Sequence, residues 1–140
     1  MSEKVIDVKG LKVRFETDRG CVYAVNGVDL SLNAGETLGL VGETGAGKTT
    51  TALALLRLLE KSTARVESEH MLYCGEEISE MSEEEMRRLR GRDMTMIFQD
   101  PLTALNPVLR IEDPVSEIFR ATQNMNRHQA EQATPRALAM

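Results

Sequence analysis

The feature that most constrains the fold of this chain is a glycine-rich motif at residues 42–49. Its sequence, GETGAGKT, fits the pattern G-x-x-x-x-G-K-[ST]. It lies between a short apolar run at 37–41 and an apolar helical pattern at 48–59. A strand buried on both faces, a glycine-rich turn and a buried helix are the context in which this pattern binds phosphate. The sequence therefore predicts an α/β fold of the P-loop NTPase type, and residues 42–49 are called the P-loop below.

The P-loop and the residue after it are predicted to bind ATP and Mg²⁺. The glycines allow successive backbone N–H groups to turn inward around an anion, and the helix that follows adds the positive end of its dipole. Lys48 is expected to reach the β- and γ-phosphates, Thr49 to ligate Mg²⁺ and Thr50 to contact the α-phosphate. The predicted nucleotide-binding set is Gly42, Glu43, Thr44, Gly45, Ala46, Gly47, Lys48, Thr49 and Thr50.

The remaining periodicities predict further strands and helices. Alternating apolar and polar residues predict a hairpin with its turn at 17–20, and a second apolar run after the P-loop predicts another buried strand. Ser82 and Glu85 form the sequence of a capping box ahead of a short helix. The expected elements are strands at 5–15, 21–32, 37–41, 71–74 and 94–98, and helices at 48–59, 83–90, 115–125 and 127–140, with 60–70 irregular and Pro135 interrupting the last helix.

Composition and charge argue against several classes of protein. The net charge is −5 and no long basic run is present, so no nucleic-acid partner is expected. No apolar run approaches the roughly 20 residues that a membrane-spanning helix needs. The N-terminus does not read as a secretory signal. Cys21 and Cys74 match no metal-ligand spacing. A role in a membrane process is therefore expected to be carried out from the water side.

Two stretches carry a resemblance to a known family. The segment LNAGETLGLVGETGAGKTTTALALLRLL resembles the P-loop region of ABC transporter ATPases. The segment MTMIFQDPLTALNPVLRI, residues 94–111, resembles the Q-loop of the oligopeptide/dipeptide/nickel importer subfamily, and SEEEMRRLRG and AVNGVDLSL are similar to the same subfamily. The resemblance implies the front half of an ABC nucleotide-binding domain, with an antiparallel β-subdomain and the start of a helical subdomain.

The resemblance also implies roles for particular residues. Gln99 corresponds to the Q-loop glutamine, which contacts Mg²⁺ or the attacking water, and it joins Lys48 as a catalytic residue. Phe15 matches the aromatic residue that stacks on adenine, and Tyr23 is a second candidate. Asp100 is not interpreted as a Walker B acid, because Gln99 separates it from the apolar run.

For the parent protein, the resemblance implies ATP hydrolysis that drives import of peptides or similar small solutes. The parent is expected on the cytoplasmic side of the inner membrane, as a peripheral subunit. Its expected partners are transmembrane permease subunits, contacted through the Q-loop region, and a second ATP-binding subunit in a head-to-tail dimer.

Residues 1–140 are expected to form only part of the ATP-binding domain. The P-loop and Q-loop are present, whereas the family's signature motif, Walker B acid, catalytic Glu and switch His are absent from this sequence. The chain alone is therefore expected to be inactive in hydrolysis. Two alternatives stay open. One is a non-catalytic nucleotide-binding fragment of a broken gene, and the other is a different P-loop NTPase, although the [NT]KxD motif of GTPases is not present.

Overall fold

The computed structural model describes residues 3–100, 106, 108–123 and 125–139. The chain divides into two compact units, Met1–Met86 and Arg87–Met140. The strands are β1 (Lys4–Thr17), β2 (Gly20–Asn33), β3 (Ala64–Glu67), β4 (His70–Tyr73) and β5 (Glu76–Glu77), and the helices are α1 (Lys48–Leu55), α2 (Glu83–Leu89), α3 (Glu112–Gln123) and α4 (Arg127–Leu138).

The first unit is built on an antiparallel sheet with β1 at its centre. β2 pairs along one edge of β1, and β3 and β4 share the other edge, with β5 beyond β4. The predicted hairpin and antiparallel β-subdomain are confirmed, and sheet and helices together give the expected α/β class. The prediction that 60–70 is irregular is wrong, because the β3 part of it pairs with β1. Its polar sequence, ARVE, becomes a strand through that pairing rather than through its own pattern.

One face of the sheet supplies most of the core of the first unit. Leu11 and Val13 of β1 are fully buried, and so is Ala54 of α1. Burying a side chain such as Leu or Val is worth about 1.5–3 kcal/mol. α1 therefore lies on a surface that the central strand provides, and this surface fixes the position of the helix.

Two predicted strands are not formed. Residues 37–41 have no regular secondary structure and are exposed, with Val41 95% exposed. In 94–98, Met94 makes an isolated bridge with Arg90, and the residues after it are irregular, with Ile97 90% exposed. Both strand predictions are wrong for a common reason. A strand buried on both faces requires hydrogen-bonded neighbours, and no described strand pairs with either segment.

The helical predictions are confirmed, with shifted ends. α1 ends at Leu55, earlier than the apolar pattern suggests. The capping box of α2 is formed, because the Ser82 N–H donates to Glu85 Oε2 at 2.7 Å and the Glu85 N–H donates to Ser82 Oγ at 3.3 Å. α4 runs through Pro135 rather than being interrupted there, although proline has no N–H to donate to the carbonyl four residues earlier. No helix of the described residues is both long enough and apolar enough to cross a membrane.

The Glu77 carboxylate accepts a hydrogen bond from the backbone of β4 at the end of the sheet, and it makes the stability of the fold depend on pH. Burial acts to raise the pKa of Glu77, but hydrogen bonds from Ser79 Oγ and from the N–H groups of Met71 and Ser79 outweigh it, and the pKa lies below its ordinary value. Because the pKa of Glu77 is lower in the folded state than in the unfolded state, the carboxylate stabilises the fold at pH values above its unfolded pKa, which is about 4.3. This stabilisation is lost as the pH falls through the folded-state value.

We therefore predict that Glu77→Gln flattens the acid limb of stability. Urea unfolding midpoints, measured between about pH 6 and about pH 3, should fall less steeply for this variant than for the wild type. Glu76→Gln, at the exposed neighbouring position of β5, is the control and should follow the wild type. Parallel curves for Glu77→Gln and the wild type would contradict the assignment.

Candidate functional site

The P-loop forms a tight turn that leads directly into α1. The Ala46 N–H donates to the Glu43 carbonyl oxygen at 3.2 Å, which closes the turn. Gly45 and Gly47 have φ values of 84° and 86°, in the left-handed region that residues with a Cβ rarely adopt. The glycine spacing of the motif thus matches backbone positions where glycine is required.

The N-terminus of α1 presents backbone donors at the end of the P-loop. Gly47 is the N-cap residue, and no side chain caps the helix. The N–H and the hydroxyl of Thr51 both donate to the Gly47 carbonyl oxygen, at 2.8 and 2.9 Å. The N–H groups of the first turn, at 48–50, have no acceptor inside a helix, and they carry the positive end of its dipole. This arrangement suits an anion such as a phosphate group.

The Lys48 side chain folds back over the P-loop. Its Nζ donates to the carbonyl oxygens of Gly42 at 2.7 Å and Glu43 at 2.6 Å. These distances are typical of short, charge-assisted hydrogen bonds. The ammonium group therefore lies at the loop that is predicted to hold phosphate, bonded to neutral carbonyl groups in this structure.

The threonines after Lys48 differ in their exposure and partners. Thr49 is exposed on the first turn of α1, Thr50 is half-buried, and Thr51 is buried with its hydroxyl bonded to Gly47. A hydroxyl oxygen is a hard ligand of the kind that Mg²⁺ prefers, and an exposed one on the first turn can reach a metal beside a bound phosphate. Within the described residues, no group of three or more His, Cys, Asp and Glu side chains is arranged to hold a metal ion.

The end of the P-loop packs against an irregularity in β2. Val13 lies opposite Val25, but Arg14 lies opposite Tyr23, so Ala24 is an extra residue that bulges from β2. A Cβ atom added to Gly47 would lie 2.3 Å from the Ala24 carbonyl oxygen and 3.3 Å from Val25 Cγ2. The sequence did not predict this contact, because Gly47 and Ala24 are far apart in the chain. The close approach is possible only because glycine has no Cβ atom.

The two candidate aromatic residues lie on opposite faces of the sheet. Phe15 is two residues after Val13 on β1, so both side chains lie on the same face of the sheet. Val25 lies opposite Val13 and shares that face. Tyr23 lies opposite Arg14, on the other face, and is 65% exposed. Since Gly47 contacts Val25, the P-loop reaches the sheet on the face that carries Phe15.

The predicted Q-loop lies in the second unit. Gln99 is exposed, in a bend. Residues 101–105 and 107, which include much of the predicted permease-facing segment, lie outside the described residues.

Comparisons with known proteins agree with the sequence resemblance. The family model for ABC transporters matches residues 25–139. The chain is 44% identical over 134 residues to the glutathione import ATP-binding protein GsiA of Salmonella typhimurium, an alignment that covers 92% of this chain and 22% of that protein. It is 38% identical over 136 residues to a putative peptide import ATP-binding protein of Brucella ovis, covering 94% of this chain and 40% of that protein. The chain thus spans less than half the length of these curated relatives.

The packing of Gly47 predicts different costs for two glycine substitutions. Gly45→Ala meets no atom within 4 Å, so only its positive φ opposes the change. The expected loss is about 1–2 kcal/mol of unfolding free energy. Gly47→Ala adds the overlap with Ala24 to the same backbone strain, and overpacking typically costs a further ~1–3 kcal/mol.

Urea denaturation of both variants measures the difference, with the wild type as the reference. The fitted slopes should agree, which would show that the variants differ in stability rather than in compactness. Equal losses for the two variants would contradict the packing of Gly47 against β2.

Proposed function

The chain belongs to the ABC transporter family, and from that premise we propose that it forms the nucleotide-binding part of an ATP-hydrolysing subunit that drives the import of peptides or similar small solutes. The observation that carries the proposal is the P-loop, where the uncapped first turn of α1 and the Lys48 ammonium lie at one place. The names of the relatives, which describe import of glutathione and of peptides, support this class of solute.

ATP is proposed to bind with its phosphates at the N-terminus of α1. The backbone donors of the P-loop and of positions 48–50 would surround the β- and γ-phosphates. Lys48 would exchange the carbonyl oxygens of Gly42 and Glu43 for phosphate oxygens. This exchange is favourable because a charged acceptor binds an ammonium group more strongly than a neutral one. Thr50 would contact the α-phosphate.

Mg²⁺ fits the hydroxyl that the helix presents at Thr49. When bound, Mg²⁺ would supply positive charge that neutralises the charge developing during phosphoryl transfer. Thr49 would hold it on the protein side, and Gln99 is proposed as a further contact. Thr51 is unsuited to that role, since its hydroxyl is buried and bonded to Gly47.

Phe15 is proposed as the residue that stacks on adenine. It lies on the face of the sheet that Gly47 contacts through Val25, whereas Tyr23 lies on the opposite face. The register of β1 and β2 therefore supports Phe15 over Tyr23. The stacking itself would use the flat apolar ring that both residues have.

The partners and the location follow from the same premise. We propose that the complete protein is peripheral to the cytoplasmic side of the inner membrane and contacts transmembrane permease subunits through its Q-loop. A second ATP-binding subunit, arranged head-to-tail, would complete each nucleotide site.

The first test removes the ammonium group from the P-loop. Lys48→Ala should weaken ATP–Mg²⁺ binding by roughly 10- to 100-fold, since hydrogen bonds to charged groups contribute about 1.5–3 kcal/mol. Isothermal calorimetry measures the affinity, and far-UV circular dichroism should stay unchanged. Lys12→Ala, at an exposed position of β1, is the matched control and should bind as the wild type does. Equal affinity in Lys48→Ala and the wild type would refute the P-loop assignment.

The second test separates the two aromatic residues. Phe15→Ala should lower ATP affinity by several-fold to about tenfold, the scale expected for loss of one aromatic contact, and leave the affinity for inorganic tripolyphosphate unchanged. Tyr23→Ala should change neither affinity. A loss confined to Tyr23→Ala would reverse the assignment, and an equal loss of both ligands in Phe15→Ala would show that the residue supports the fold instead.

A further inference from the structure

The C-terminal end of α1 has an unusual residue at its left-handed position. The Leu58 N–H donates to the Leu53 carbonyl oxygen at 2.9 Å, and the Arg57 N–H donates to that of Ala54 at 3.0 Å. This pair of bonds is the Schellman motif, in which the residue after the cap adopts the left-handed conformation and is usually glycine. Here that residue is Arg57, with φ 51°. A Cβ atom is sterically disfavoured in this conformation. An interaction of the Arg57 side chain that glycine cannot make would offset this steric cost.

The Arg57 side chain connects α1 to a separate segment of the first unit. Its Nη1 donates to the carbonyl oxygen of Ile78 at 3.1 Å and also to that of Met81. The Ile78 side chain is buried, and the segment 78–81 leads into α2. A guanidinium group is planar and carries several donors, so it can hold two carbonyl groups in a fixed geometry. Lysine has no such fixed arrangement of donors, and glycine would relieve the backbone but remove the connection.

We infer that Arg57 is a positioning residue of the P-loop helix, which holds the segment 78–81 against the C-terminal end of α1. Because the other end of α1 is the P-loop, the same helix joins the phosphate site to the segment that leads into α2. Nucleotide binding at the P-loop is therefore expected to affect the segment 78–81, and this expectation rests on the proposed function. The positioning role itself does not.

Hydrogen exchange of the nucleotide-free 140-residue chain tests the positioning role. The Ile78 N–H donates to the Met71 carbonyl oxygen at 2.9 Å and is therefore a protected amide that reports on the segment. In Arg57→Gly this amide should exchange at least tenfold faster, because both charged hydrogen bonds to the segment are lost and a loss of about tenfold is the scale of one alone. The amides at the end of α1 should exchange no faster than in the wild type, because glycine suits the left-handed position.

Two further variants separate the side-chain interaction from charge and from backbone effects. Arg57→Lys keeps the charge and should restore only part of the protection at Ile78. Lys12→Ala removes an exposed cation of β1 and should change nothing at Ile78. Unchanged exchange at Ile78 in Arg57→Gly would overturn the inference. Uniformly faster exchange over the whole first unit would also overturn it, because it would indicate a general loss of stability.

The same measurement with ATP and Mg²⁺ tests the consequence for the nucleotide site. In the wild type, nucleotide should slow exchange at Ile78 and Met86 as well as in the P-loop. In Arg57→Gly, calorimetry should still detect binding, and the slowing should be confined to the P-loop and α1. Equal slowing in both proteins would overturn the connection. Absence of ATP binding by the wild type would refute the proposed function, while the nucleotide-free comparison would still decide the role of Arg57.

Discussion

The hydrogen bonding of β1 along both of its edges is the constraint on which the first unit depends. β2 occupies one edge, and the much shorter β3 and β4 occupy the other. A two-stranded hairpin alone is marginally stable in water, and strands of four residues have little ladder of their own. β1 also contributes Leu11 and Val13 to the core. Sheet, core and helix position therefore all depend on one strand.

The proposed phosphate site takes its position from this sheet. In the usual arrangement, a buried strand leads into the P-loop and orients it. Here residues 37–41 are irregular, yet α1 is still placed, because Gly47 contacts Ala24 at one end of the helix and Arg57 bonds to Ile78 at the other. A helix fixed at both ends holds its first turn in place. The bulge in β2 thus supports the proposed site, although it contributes no candidate functional side chain.

Local patterns were sufficient to predict the elements whose partners are adjacent in sequence. The hairpin of β1 and β2 follows from alternation around a turn, and the start of α2 follows from Ser82 and Glu85. The glycine spacing of the P-loop also predicted where α1 begins. In each case the hydrogen bonds that form the element lie within the segment itself or between segments joined by a short turn.

Features that depend on distant residues were not predictable. The apolar run at 37–41 is typical of a strand that is buried between neighbouring strands, but no described strand pairs with it. β3 is the converse case, since a polar segment became a strand through pairing with β1. The proposal of Phe15 over Tyr23 rests on the bulge at Ala24, because one extra residue reverses the face of every side chain beyond it.

The exposure of 37–41 also bears on aggregation. The run TLGLV has no charge and no proline, and exposed segments of this kind are prone to pair with copies of themselves as intermolecular strands. Glu36 and Glu43 lie on either side of the run and would act as gatekeepers, since stacked copies would bring like charges together. Hydrogen bonds from the backbone N–H and the side chain of Asn33 lower the pKa of Glu36. One of the two gatekeepers therefore keeps its charge, and its protection against fibrils, into more acidic solution than an ordinary glutamate would.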